Sequence, residues 1–225
     1  MHRKNLSILS IEDESLWRTF IAAALGVLPM VSQSESAPTG QDGLRMARTL
    51  RPDIVLLDLM LPDTDGFSLA LDLARLPHPP RIILLSSRQD DVALLAASES
   101  HISGLLWKSG DVFRQLPVVL GEVASGRKFY PPEVRDALRR LRADPNAFFK
   151  ILSTRELELM PRFGLGQSDA EIATALGLSN HTVKSHRQHV MAKLGLHSAP
   201  RLIHWAIDHG FAPLRRQPPS RAESR

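Results

Sequence analysis

Residues 54–67 read IVLLDLMLPDTDGF. Four apolar residues, 54–57, run directly into Asp58, and the turn-forming Pro62-Asp63-Thr64-Asp65-Gly66 follows after Leu59-Met60-Leu61. A strand apolar on both faces belongs inside a sheet covered on both sides, as parallel sheets are. A carboxylate at its C-terminal end then points to the crevice where such sheets carry their sites. The rest of the first half agrees. Residues 6–11, 30–36, 81–85 and 104–107 read as further strands, and 15–25, 43–50, 67–76, 92–97 and 112–123 as helices between and after them. Strands alternating with helices predict an α/β fold, a five-stranded parallel doubly wound sheet of flavodoxin-like type with strand order 2-1-3-4-5.

Around residue 124 the alternation stops. Gly126, Pro131 and Pro132 interrupt, a charged and helix-compatible segment spans 133–142, and from Leu152 onward only helical patterns remain. The predicted organisation is an α/β domain over 1–123, a linker over 124–150, an all-α domain of four short helices over 151–212, and a proline-rich disordered tail over 213–225. The chain has 225 residues, no cysteine and no apolar run of membrane-spanning length, so disulfides and thiolate zinc sites are excluded and a cytoplasmic protein is expected. Its 28 Lys and Arg against 24 Asp and Glu leave a net charge of only +4, but the charge is unevenly placed. No acid occurs from Ile172 through Ile207, where Lys184, Arg187, Lys193 and Arg201 stand, which points to a polyanion partner.

The strand ends hold a specific set of groups. Strand one ends in Glu12 and Asp13, strand three in Asp58, strand four in Ser86 and strand five in Lys108. In the predicted order strands one and three are neighbours, so three carboxylates converge. Mutual repulsion would raise their pKa values, and a hard divalent cation, Mg²⁺ above all, relieves it. With Lys108 opposite, the set suits transfer of a phosphoryl group to Asp58, and Ser86 offers a hydroxyl to that group.

This set resembles the receiver domain of bacterial response regulators, over roughly residues 5–123. The resemblance implies that Asp58 is the phosphoacceptor, Asp13 a direct metal ligand, Glu12 its neighbour acting through water, and the Met60 carbonyl a third ligand. It implies that Ser86 is the switch hydroxyl and Lys108 the invariant lysine. One departure is Leu105, three residues before the lysine, where the family usually has an aromatic residue. Two rivals follow from the same residues. A phosphatase forming an aspartyl-phosphate needs a second Asp where Met60 stands, and the chain is not expected to be an enzyme. A receiver working through protein contacts alone is the other.

In the second half, Ser153 with Glu156 and Ser168 with Glu171 form S-x-x-E capping boxes. Ser179 is placed to cap a third helix that Gly195 closes, and Ser198 to cap a fourth. On the third helix Val183, Val190 and Leu194 share one face, while His181, Lys184, Ser185 and Gln188 share another that is polar and free of acids. Such a helix fits a major groove. These residues resemble the helix-turn-helix of LuxR-type transcription factors over roughly 150–211, and with the receiver they resemble the NarL/FixJ class. The resemblance implies that Lys184, Ser185 and Gln188 read base edges and that Thr182 and Arg187 contact phosphates. It also implies DNA and a sensor histidine kinase as partners, with a homodimer when active. Pro161 is expected to kink or end the first of these helices. Ile203, Trp205 and Ile207 suit either a dimer face or core packing.

Overall fold

The computed structural model describes residues 5–99, 101–109 and 111–212. The expected disordered tail at 213–225 lies outside the described residues. The chain divides into two compact units, one formed by residues 1–89 with 93–139, the other by 90–92 with 140–225.

In the first unit β1 (Leu6–Ile11), β2 (Val31–Ala37), β3 (Ile54–Asp58), β4 (Arg81–Ser86) and β5 (Ile102–Trp107) form one sheet in the order β2-β1-β3-β4-β5. All four pairings are parallel. The helices α1 (Ser15–Gly26), α2 (Gly40–Leu50), α3 (Gly66–Ala74), α4 (Asp91–Ala97) and α5 (Val112–Ala124) follow the strands in turn. Every residue of β3 is buried, which is why its apolar run shows no alternation. The core joins Ile8, Ile54, Leu56 and Leu106 of the sheet to Ile21 and Leu25 of α1 and to Leu116, Val119 and Leu120 of α5. The register sets Ile11 beside Leu57 and Asp58 beside Leu85, so the ends of β1, β3 and β4 lie at one edge.

The backbone continues to hold to this unit beyond residue 123. Gly104 bridges to Phe129, and Phe129 N–H donates to Ser103 O at 2.9 Å. Tyr130 Oη donates to Ala97 O at 2.5 Å. The charged segment of the expected linker is helical as α6 (Pro132–Ala143), and α7 (Phe148–Ile151) follows.

The second unit contains α8 (Thr154–Gly164), α9 (Asp169–Leu176), α10 (Asn180–Lys193) and α11 (Ala199–Asp208). Both capping boxes are formed reciprocally, Ser153 with Glu156 and Ser168 with Glu171. Ser179 Oγ accepts from Thr182 N–H at the start of α10. Gly177 ends α9 with φ at 64°, a left-handed conformation that an L side chain adopts only at a cost, and so turns the chain into α10. Two expectations need correction. α8 runs through Pro161 to Gly164. The missing N–H removes one hydrogen bond, but Leu159, Met160 and Phe163 are fully buried around it, and packing outweighs the local penalty. Ser198 stands at the N-cap of α11 but its side chain makes no cap hydrogen bond. Trp205 is half-buried and packs among Phe148, Phe211 and His209 within this unit.

Candidate functional site: an acidic crevice and a polar helix face

At the C-terminal edge of the sheet Glu12, Asp13 and Asp58 each offer a carboxylate oxygen, and these oxygens lie within 4.8 Å of one another. Glu12 and Asp58 are buried, at 0% and 2% exposure. Lys108 reaches between them. Its Nζ lies 2.7 Å from Asp58 Oδ2, a hydrogen bond, and 2.6 Å from Glu12 Oε2. Both contacts are buried ion pairs, so one ammonium serves two carboxylates. Met60 N–H donates to Asp58 Oδ1 at 3.0 Å, which fixes the carboxylate and the start of the loop after it. Asp65, in that loop, bridges back to Met60 and caps α3 by accepting from Ser68 N–H. Asp63 accepts from Gly40 and Gln41 N–H at the start of α2.

The electrostatics follow from the burial. Desolvation, then the Asp58 charge, push Glu12 up to about 7 despite the opposing Lys108 ammonium. Burial also pulls the Lys108 ammonium down, but Asp58 and Glu12 outweigh it and hold Lys108 above its usual range. Three carboxylates against one ammonium leave the pocket short of positive charge. The ligand atoms on offer are all hard carboxylate oxygens within 4.8 Å of one another, so the residues fit a Mg²⁺ ion. Ser86 is fully buried at the end of β4, where its hydroxyl accepts from Arg88 N–H at 2.9 Å and donates to Arg88 O at 3.0 Å.

In the second unit, α10 buries Val183 and Val190 and exposes Lys184 and Gln188, with Thr182 and Ser185 half-buried. Two ion pairs tie this helix to its neighbours. Lys193 Nζ donates to Glu156 Oε2 at 2.6 Å. Arg187 donates through Nε to Asp169 Oδ1 at 2.7 Å and through Nη2 to Gln167 O at 2.8 Å, and its guanidinium lies over the Phe163 ring at 4.3 Å.

Residues 8–116 match the model of the response regulator receiver domain, and residues 150–206 that of the bacterial regulatory proteins of the luxR family. The chain is a two-component response regulator of the NarL/FixJ class. The Fimbriae Z protein of Salmonella typhimurium is 29% identical over 210 residues, spanning 92% of this chain and 98% of that protein. Response regulator UvrY of Escherichia coli is 27% identical over 209 residues, 92% of this chain and 95% of its own. RcsB from Salmonella enterica serovar Typhimurium, solved on promoter rprA with the phosphomimetic BeF₃⁻, shares the fold at a TM-score of 0.68 and 23% identity, covering 90% of this chain and 98% of that one. This response regulator therefore carries a LuxR-type DNA-binding domain behind its receiver, and no helix among the described residues is long and apolar enough to cross a membrane.

Within this response regulator Glu12, Asp13, Asp58 and Lys108 are brought together, and Ser86 ends the strand beside β3. Lys184, Ser185 and Gln188 share the polar side of α10 with Thr182 at its start. Arg187 requires a correction. It was expected to reach phosphates, but its guanidinium is turned inward, and its side chain is only 12% exposed. The inward turn has a cause in the residues themselves: Asp169 is an acid of the α9 first turn and Phe163 an aromatic face, and together they take the guanidinium from solvent. Sequence patterns also missed Arg18, whose Nη1 donates to the carbonyls of Glu12 at 2.8 Å and Asp13 at 2.7 Å. A basic residue five positions beyond two adjacent acids is the signal that was available.

Proposed function

We propose that this regulator is switched by transfer of a phosphoryl group to Asp58 and acts by binding DNA through α10. The observation that carries the reading is Lys108 Nζ, 2.7 Å from Asp58 Oδ2 and 2.6 Å from Glu12 Oε2, within a cluster of three carboxylates. Glu12, Asp13, Asp58 and the Met60 carbonyl would hold Mg²⁺, which supplies neutralising charge for an incoming phosphate. A carboxylate oxygen of Asp58 forms the new P–O bond as the bond from phosphorus to the donor breaks, and the donor leaves with that electron pair. A sensor histidine kinase is the physiological donor. Lys108 holds a phosphoryl oxygen by charge. Ser86 gives up its bonds to Arg88 and turns its hydroxyl to another oxygen, which rearranges the loop after β4. Lys184, Ser185 and Gln188 read base edges, Thr182 contacts a phosphate, and the active form is a homodimer on DNA.

The experiment is direct. The full chain is incubated with phosphoramidate and Mg²⁺ and weighed by mass spectrometry. One added phosphoryl group, absent from Asp58→Asn and from a Mg²⁺-free sample, is the expected result. An unmodified wild type, with cognate kinases failing as well, would leave a receiver that works through protein contacts alone. Selection of DNA sequences by the full chain, with and without beryllofluoride, tests the second half.

A further inference from the structure

The Lys108 ammonium is almost wholly enclosed, its side chain only 2% exposed. Two of its neighbours are the carboxylates of Glu12 and Asp58. A third is aromatic. The ring of Trp17, in the first turns of α1, has its centroid 5.6 Å from Lys108 Nζ. Trp17 in turn stacks on Phe113 of α5 at 6.3 Å and 20°, and Phe113 meets the edge of Phe20 at 6.0 Å and 72°. A continuous row of rings thus leads from the lysine of the acidic crevice to Phe20 and Phe113, both part-exposed on α1 and α5.

An ordinary core position beside α5 is filled as well by leucine. The indole differs in presenting a negative face to a cation where water is excluded, the setting in which a cation–π contact is strongest. It also limits the rotamers of a side chain that is otherwise flexible and prefers water. The same ring would feel any shift of the ammonium, because a phosphoryl group on Asp58 places new negative oxygens where Lys108 must follow them.

We propose that Trp17 is a positioning residue for phosphoryl transfer, holding the Lys108 ammonium toward Asp58 and moving with it when Asp58 is modified. The inference rests on the phosphoacceptor reading of Asp58.

The test uses the full chain, phosphoramidate and Mg²⁺, with the rate of phosphoryl uptake read by mass. Trp17→Leu is expected to slow uptake about tenfold, a barrier change of about 1.4 kcal/mol. Trp17→Phe, which keeps an aromatic face, recovers most of the rate. In a Lys108→Met background the Trp17→Leu change makes no further difference. A purely structural role predicts instead an equal loss in both backgrounds, with no rescue by Phe, and that result overturns the proposal. So does a wild-type rate in Trp17→Leu. A second measurement stands if Trp17→Leu does not fold or Lys108→Met takes no phosphoryl. In the chain with Trp107→Phe and Trp205→Phe, Trp17 is the sole tryptophan. Its emission is expected to change on adding beryllofluoride with Mg²⁺, and not to change when Lys108 is also Met. Emission that does not respond, or that responds equally without Lys108, overturns the proposal. A wild type that takes no phosphoryl group fails the Asp58 reading and this inference together, whereas normal uptake indifferent to Trp17 fails this inference alone.

Discussion

Lys193 Nζ donates to Glu156 Oε2 at 2.6 Å, so the last turn of α10 is fastened to the carboxylate that closes the capping box of α8. Glu156 is 3% exposed and also accepts from Ser153 N–H at 2.7 Å. Burial pushes its carboxyl up, but the bonds from Lys193 and Ser153 outweigh it and hold it below the ordinary 4.5. A carboxyl lower in the folded than in the unfolded state adds stability that is complete above the unfolded value and fades as pH falls through the folded one. Wild-type unfolding followed from pH 7 down past 4.5 is expected to show this loss, and Glu156→Gln a shallower acid limb. At pH 7, Glu156→Ala should cost about 1.5–3 kcal/mol in urea unfolding, the range for a hydrogen bond to a charged group. An unchanged midpoint would show that the pair contributes nothing.

The acidic crevice has the opposite sign. Glu12 stands at about 7, above its ordinary 4.5, so in the absence of a cation its contribution to stability is lost as pH rises between those values. A Mg²⁺ ion held by the ionised form would reverse the trend. Thermal melts with and without Mg²⁺ are expected to differ more at pH 8 than at pH 5.5, and Glu12→Gln should flatten the pH dependence of the metal-free protein. Equal Mg²⁺ shifts at both pH values would count against Glu12 as part of the metal site.

Much of this was visible in the residues alone. The run 54–57 ending on Asp58 carried the parallel sheet, because only a strand covered on both faces tolerates four consecutive apolar residues. The strand-end rule then gathered Glu12, Asp13, Asp58 and Lys108 without coordinates. Capping boxes at Ser153 and Ser168 were legible because the motif is local. Apart from the local Ser198 cap, which does not form, the failures were tertiary. Pro161 breaks a helix by local rules, and only the burial of its neighbours keeps α8 intact. Arg187 flanks the apolar stripe on a helical wheel, within reach of a phosphate, but a wheel does not show Asp169 and Phe163 beside it. Trp17 beside Lys108 joins positions 91 residues apart, beyond any pattern of period 2 or 3.6.

Gly66, which opens α3 after the acceptor loop, touches backbone on its open side. A Cβ there would lie 2.6 Å from Leu59 Cα and 2.7 Å from Asp58 O. Neither atom belongs to a flexible side chain, so the loop that follows Asp58 must move. Gly66→Ala is expected to destabilise the receiver by about 1–3 kcal/mol, as overpacking does, and to slow phosphoryl uptake on Asp58. Urea unfolding and the phosphoramidate assay measure the two effects. A variant with wild-type stability and uptake would show that the loop accommodates the methyl group elsewhere.

Lys184 and Arg187 lie three residues apart on α10 and are expected to fail in different ways. Lys184 is exposed on the polar face. If it reads a base edge, Lys184→Ala costs about 1–3 kcal/mol at a preferred site and relaxes preference at one position. Arg187 is engaged by Asp169, Gln167 and Phe163, so Arg187→Ala releases α10 from α9 without removing a phosphate contact. Its affinity should fall while the dependence of log K on log salt keeps the wild-type slope, whereas a lost phosphate contact lowers that slope by about 0.9. Arg187→Lys, which keeps the charge but not the forked donors or the stacking plane, should behave more like Ala than like the wild type. The reciprocal change, Asp169→Asn, should reproduce the affinity loss, since it unties the same pair from the other side. A reduced salt slope in Arg187→Ala with an indifferent Asp169→Asn would restore Arg187 to the phosphate backbone.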